Sequence, residues 1–152
     1  QPRSVSGLRR GTDFLVLDEP LVGLDPIERI KIMNVLTKLS SGKIILFSTH
    51  VVTEIESLCH RVMILNNGSI MSDNTVENLT QSINGKVFEL LVRKDDFSSI
   101  SKKHNVVKIR NEGNMIRVKF LSTIKKGARE LKNLQKVNPT LEDYYVWKLQ
   151  NN

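Results

Sequence analysis

Asp18 and Glu19, standing directly after the apolar run Phe14-Leu15-Val16-Leu17, are the residues of this sequence best placed to do chemistry. A buried strand fixes the position of a carboxylate at its end, and such a group can help hold a divalent ion beside a phosphate chain. The next residue leaves the strand end in another direction and can polarise a water for in-line attack. Pro20 then forces the chain out of the strand. His50 follows a second apolar run, Lys43 to Ser48, so it can hydrogen-bond a terminal phosphate from the neighbouring strand end. Phosphoryl transfer asks for these functions because it is catalysed mainly by positioning and charge neutralisation. Nucleotide sites in open α/β sheets lie at these carboxyl ends. Taken singly, each residue also has a plain role: Asp-Glu can open a loop, and Thr-His can cap a helix.

The elements that must position these groups are legible in the pattern. Thr12 to Leu17 reads as a short buried strand ended by two acids and a proline. Asp25 to Ser41 reads as a helix, with Asp25 as cap, Pro26 in the first turn, Glu28 at capping-box spacing and Gly42 as stop. Ile27, Ile30, Met33, Leu36 and Leu39 form its apolar stripe. Lys43 to Ser48 is a second buried strand, and Val51 to Cys59 a helix with Val52, Ile55 and Cys59 on one side. Arg61 to Leu65 and Ser69 to Ser72 flank Asn66-Asn67-Gly68, a tight-turn signal, and Thr75 can cap a helix ending near Ile83. Strand, helix, strand, helix, strand is the order of a parallel α/β layer. Gly85 marks the expected boundary between regions 1–84 and 85–152. Beyond it, Lys86 to Arg93 alternates as a strand, Asp95 to Lys103 reads as a helix, and Val106 to Ile109 pairs with Met115 to Leu121 around Asn114. Thr140 to Leu149 closes as an amphipathic helix after Pro139.

Three ordered motifs on the right elements make a joint pattern: Leu17-Asp18-Glu19-Pro20, Gly23-Leu24-Asp25-Pro26 and Ser48-Thr49-His50. Here the sequence resembles the ABC transporter ATPases. The resemblance matches the Walker B strand and catalytic glutamate to Asp18 and Glu19, the D-loop to Gly23-Leu24-Asp25, and the switch histidine to His50. It implies that Asp18 holds Mg2+ through water, that Glu19 is the general base for ATP hydrolysis, that His50 senses the γ-phosphate and that Asp25 signals across a dimer. Val62 to Ser72 is similar to the hairpin that follows the switch histidine, so the likeness covers residues 13 to about 82. Asn138-Pro139-Thr140-Leu141-Glu142-Asp143-Tyr144 is similar to the ending of ATPases that serve drug, peptide or lantibiotic-type exporters. The implied fold is an incomplete P-loop NTPase (RecA-like) parallel sheet with a small α+β appendage. The implied partners are a transmembrane permease subunit and a second ATP-binding domain, at the cytoplasmic face of a membrane.

The departures from that pattern shape the expectation. A triphosphate cradle of this kind needs G-x-x-x-x-G-K-[ST], whose backbone amides surround the phosphates. Of eight glycines only Gly42 and Gly85 precede a lysine; Thr37 and Thr80 stand where the first glycine belongs, and Ile44 and Val87 where the Ser or Thr belongs. Ser6-Gly7-Leu8-Arg9-Arg10 is similar to the core of the family's signature helix but lies only a few residues before Phe14, and Arg9-Arg10 is read as a solvated terminus. The chain alone is therefore expected to bind ATP very weakly and to turn it over negligibly. It is expected to be a split-gene product, a fragment or a remnant, with the missing N-terminal half supplied in trans for activity.

Composition bounds the alternatives. Nothing approaches the roughly 20 apolar residues of a membrane span, Gln1-Pro2-Arg3-Ser4 does not open a secretory signal, and the single Cys59 suits a reducing compartment. The expected location is cytoplasmic. The net charge of +7 is uneven: residues 1–82 carry 8 Lys/Arg against 9 Asp/Glu, and residues 83–152 carry 15 against 7. The basic region could serve a non-catalytic binding module through Lys102, Lys103, Lys125, Lys126, Arg129 and Lys132, meeting anionic lipid, RNA or an acidic partner. Nucleic acid is not the expected partner, because Phe88, Phe97 and Phe120 fall on apolar faces and Tyr144, Tyr145 and Trp147 in the last helix, where they form core rather than stacking platforms. His60 and His104 lack partners at zinc-ligand spacing.

Overall fold

The computed structural model describes residues 13–122 and 133–151. Ser6 to Arg10, Thr12, Lys125, Lys126, Arg129 and Lys132 lie outside the described residues. The fold is mixed α/β, with parallel and antiparallel sheets, and the chain divides into two compact units between His60 and Arg61.

The first unit is a β-α-β-α run. β1 (Phe14–Asp18) and β2 (Ile44–Ser48) pair in parallel, with Phe14 opposite Ile44, Val16 opposite Leu46 and Asp18 opposite Ser48. α1 (Pro26–Ser40) makes the crossover that a parallel pair requires. Its cap is Asp25, whose Oδ1 accepts from the Ile27 and Glu28 amides at 2.8 Å each. The expected stripe of α1 divides. Leu36 is buried and Met33 and Leu39 are half-buried, whereas Ile27 and Ile30 are exposed. α2 (Val52–Leu58) follows β2 after a three-residue connection, and its most buried side chain is Glu54 rather than an apolar residue.

The second unit opens with β3 (Arg61–Asn66) and β4 (Ser69–Thr75), joined by Asn67-Gly68 with φ of 48° and 76°. Two left-handed residues make the tight turn whose twist suits a hairpin. That turn explains a departure from the expected parallel layer. β3 pairs antiparallel with β4, which the turn returns to it at once, and the parallel sheet holds β1 and β2. α3 (Val76–Ser82), capped by Thr75, packs with the last helix, so the hairpin and α3 belong to the same compact unit as the chain beyond Gly85.

β5 (Val87–Arg93) begins a four-stranded antiparallel sheet of order β6-β7-β5-β8, with β6 at Asn105–Glu112, β7 at Met115–Leu121 and β8 at Gln135–Lys136. The helix expected over Asp95 to Lys103 is a 3-10 turn, Lys94–Asp96, followed by α4 (Phe97–Lys103). β8 had no sequence signal; two polar residues show no alternation. Leu90, Ile100, Ile116, Val118 and Phe120 form the core, with Phe88, Phe97 and Val106 packed against it. Phe88, Phe97 and Phe120 therefore sit where their apolar spacing placed them and Tyr144 is buried, whereas Tyr145, expected in the core, is exposed. α5 (Leu141–Gln150) carries a full capping box between Thr140 and Asp143. Asp143 is fully buried and meets the Lys119 Nζ at 2.6 Å, tying α5 to β7. Among the described residues no helix is long and apolar enough to cross a membrane.

Candidate functional site

Residues from β1 and β2 meet at the carboxyl ends of the parallel pair. The register that places Asp18 opposite Ser48 lets the Ser48 hydroxyl donate to Asp18 Oδ1 at 2.5 Å. The Glu19 amide then donates to both the carbonyl and the Oγ of Ser48, at 3.1 and 3.0 Å. Ser48 thus fixes the last strand residue and the first residue beyond it at once.

Glu19 has φ of 46°, in the left-handed region. A non-glycine residue held there costs on the order of 1–3 kcal/mol and persists only where its surroundings impose it. The bonds to Ser48 supply part of that constraint, together with Pro20 and the turn bond from the Val22 amide to the Glu19 carbonyl. The kink turns the Glu19 side chain toward the second strand end, where its Oε1 lies 3.1 Å from His50 Nδ1. Three residues singled out from sequence, Asp18, Glu19 and His50, are thus brought to one strand edge. Asp25 is not joined to this hydrogen-bonded group among the described residues; its Oδ1 is engaged by the start of α1.

The chemistry of this edge is that of an acid pair presented to solvent. Asp18, Glu19 and His50 are all exposed or half-buried, and the imidazole is 70% exposed. No group of three or more His, Cys, Asp or Glu residues among the described residues could hold a metal ion by itself. Mg2+ is commonly held by one or two carboxylates together with waters and substrate phosphates. Asp18, exposed and oriented by Ser48, fits that role, and Glu19 beside it is half-buried with its Oε1 facing His50.

Sequence reasoning missed what lies behind the edge. Thr49, between Ser48 and His50, donates its hydroxyl to Glu54 Oε2 at 2.8 Å and accepts the Val51 amide at 3.1 Å. Glu54 is 4% exposed, and its Oε1 lies 3.6 Å from the Arg29 NH1 on α1. No sequence signal marked Glu54, which falls off the Val52, Ile55 and Cys59 side of the helix; the fold turns it inward, where a buried charge requires a partner.

No protein-family model matches the chain. Among curated proteins it is similar to an uncharacterised ABC transporter ATP-binding protein of Bacillus subtilis, at 38% identity over 80 residues, covering 53% of this chain and 27% of that protein. It is similar to the Nod factor export ATP-binding protein I of Burkholderia thailandensis, at 41% over 71 residues, covering 46% of this chain and 23% of that protein. A longer match, 23% identical over 146 residues, covers 91% of this chain and 40% of an uncharacterised ABC transporter ATP-binding protein of Synechocystis. The curated relatives are ABC transporter ATP-binding proteins, and most of the stronger matches cover about half of the chain. The chain spans about a quarter of the length of the first relatives, 27% and 22% of the first two.

Proposed function

We propose that this chain, whose relatives are ABC transporter ATP-binding proteins, is the distal part of such a subunit and carries the metal-holding and water-activating half of its ATPase site. The observation that carries the reading is the Glu19–His50 contact of 3.1 Å across two parallel strand ends, beside an Asp18 held by Ser48. Bound Mg2+ would supply charge neutralisation on the phosphates, and Asp18 is the residue that would hold it through water. Glu19 takes the proton of the attacking water. His50, hydrogen-bonded to Glu19, is placed to sense a terminal phosphate and to orient the base. Asp25, at the head of α1, signals to a second ATP-binding domain.

In this reading the subunit couples ATP binding and hydrolysis to export, working as a dimer with a transmembrane permease subunit at the cytoplasmic face of the membrane. The Burkholderia relative is named as an export protein, and Pro139-Thr140-Leu141-Glu142-Asp143 favours the same direction. The 152 residues hold no G-x-x-x-x-G-K-[ST] segment. The chain alone therefore lacks the backbone amides that cradle a triphosphate, and by itself it is inactive. Calorimetric titration of MgATP into the isolated chain checks this: binding weaker than about millimolar is expected, and micromolar affinity overturns it.

A further inference from the structure

We propose that Glu54 is a positioning residue that sets the direction of the His50 imidazole, acting through Thr49 and anchored by Arg29. The inference deepens the ATPase reading of the same strand edge and rests on it for its functional meaning. Its geometry concerns the first unit alone.

Residues 48–50 leave β2 with three consecutive side chains committed in different directions. Ser48 is bonded to Asp18, and His50 to Glu19. Thr49 is bonded to Glu54. The Thr49 Oγ1 also accepts the amide of Val51, two residues on, so this one hydroxyl bridges the backbone on either side of His50. A hydroxyl that accepts from the backbone must send its own proton elsewhere, and Glu54 Oε2 receives it at 2.8 Å. Among the described residues the exposed His50, 70% open to solvent, makes one side-chain bond, to Glu19. The direction of its ring is therefore set largely by the backbone frame that Thr49 holds.

Glu54 is the fixed point of that frame. It is 4% exposed, whereas His50 and Glu19 are 70% and 40% exposed, so the rigid member of the chain of contacts lies behind the site and not in it. A carboxylate so buried is retained only with a partner of opposite charge and with its oxygens occupied. Arg29 provides the charge at 3.6 Å from Oε1, and Thr49 occupies Oε2. Arg29 lies four residues beyond Asp25, on the first turns of α1. The same carboxylate consequently ties the start of α1, and with it the Gly23-Leu24-Asp25 loop, to the residue next to His50. A carboxylate with two differently directed oxygens gives this tie a defined orientation.

The test uses side-chain nitrogen and carbon resonances of the histidines in the full chain, of which there are three. In the unmodified chain, Glu19→Gln is expected to shift the His50 ring signals, because it changes the group that Nδ1 faces. In a Glu54→Gln background the same Glu19→Gln change is expected to move the His50 signals by less than half as much. Thr49→Val should reproduce that loss with Glu54 and Arg29 intact, and Thr49→Ser should restore the coupling. Unchanged amide signals across β1 and α1 show that the unit remains folded, and the Thr49 pair carries the test where Glu54→Gln does not fold. An equal Glu19-dependent shift with and without Glu54, or with Val at position 49, overturns the proposal. The readout needs no nucleotide, so a failure of ATP hydrolysis strikes the ATPase reading and leaves this result standing.

Discussion

The single residue on which the site turns is Glu19. Its left-handed backbone, φ 46°, directs its carboxylate to His50 instead of along the strand, and both facts escape a reading of sequence alone. Asp18, Glu19 and His50 could be singled out because three ordered motifs stand on consecutive elements, whereas each residue alone has a plain role. Ser48, Arg29 and Glu54 were not, since their roles follow from the strand register and from which side of a short helix faces inward. At the same scale, His104 gives a pH prediction. Burial against Phe120, ring centroids 4.6 Å apart, and the neighbouring Lys103 hold its imidazole below the ordinary range. The folded chain binds that proton less readily than the unfolded chain, so the stability tied to His104 is complete above about pH 6.5 and declines as the pH falls through that value. Urea midpoints measured across this range should fall more steeply for the wild-type chain than for His104→Gln. Parallel profiles would show that His104 carries no such linkage.

At the scale of elements, the expected strands and helices followed their periodicity closely, with ends shifted by at most three residues; the strand at Val106 to Ile109, for example, extends over Asn105–Glu112. What periodicity could not give was partnership. The Asn67-Gly68 turn makes β3 and β4 a local hairpin, and β8 joins β5 through backbone bonds that leave no trace in residue type. The attachment of α5 is similarly hidden, because Pro139-Thr140-Leu141-Glu142-Asp143 reads as a helix start while the half-buried partner of Asp143, Lys119, sits on β7. Lys119→Met should cost about 3 kcal/mol of unfolding free energy, since it leaves the buried Asp143 charge without its ion-pair partner. Chemical denaturation of the second unit measures this, and a loss below about 1 kcal/mol would mean that the capping box alone holds α5. In the first unit, Phe14 and Val16 of β1 lie beside Ile44 and Leu46 of β2 on one sheet face, exposed by 51, 56, 67 and 41%. Apolar faces of this kind favour self-association. The chain should bind a hydrophobic dye and sediment as a concentration-dependent mixture, and Val16→Lys with Ile44→Lys should reduce both. A monodisperse, dye-free chain would contradict that.

For the whole molecule, the chain presents Asp18, Glu19 and His50 at the end of a two-stranded parallel sheet, which we propose as one half of a phosphoryl-transfer site, and a larger unit with an antiparallel sheet and its own core. The likeness to ABC transporter ATP-binding proteins agrees with the chemistry read from Asp18 and Glu19, and in the proposed reading the G-x-x-x-x-G-K-[ST] segment is supplied from outside these 152 residues. The central claim is that Asp18, Glu19 and His50 activate water for a triphosphate held elsewhere. It is tested most directly by phosphate release from MgATP when the chain is combined with a partner segment that carries a P-loop. The account predicts hydrolysis only in the mixture, reduced about 100-fold or more by Glu19→Gln while nucleotide binding persists. Hydrolysis by the mixture that is indifferent to Glu19→Gln, or no gain when the folded segments are combined, would contradict it.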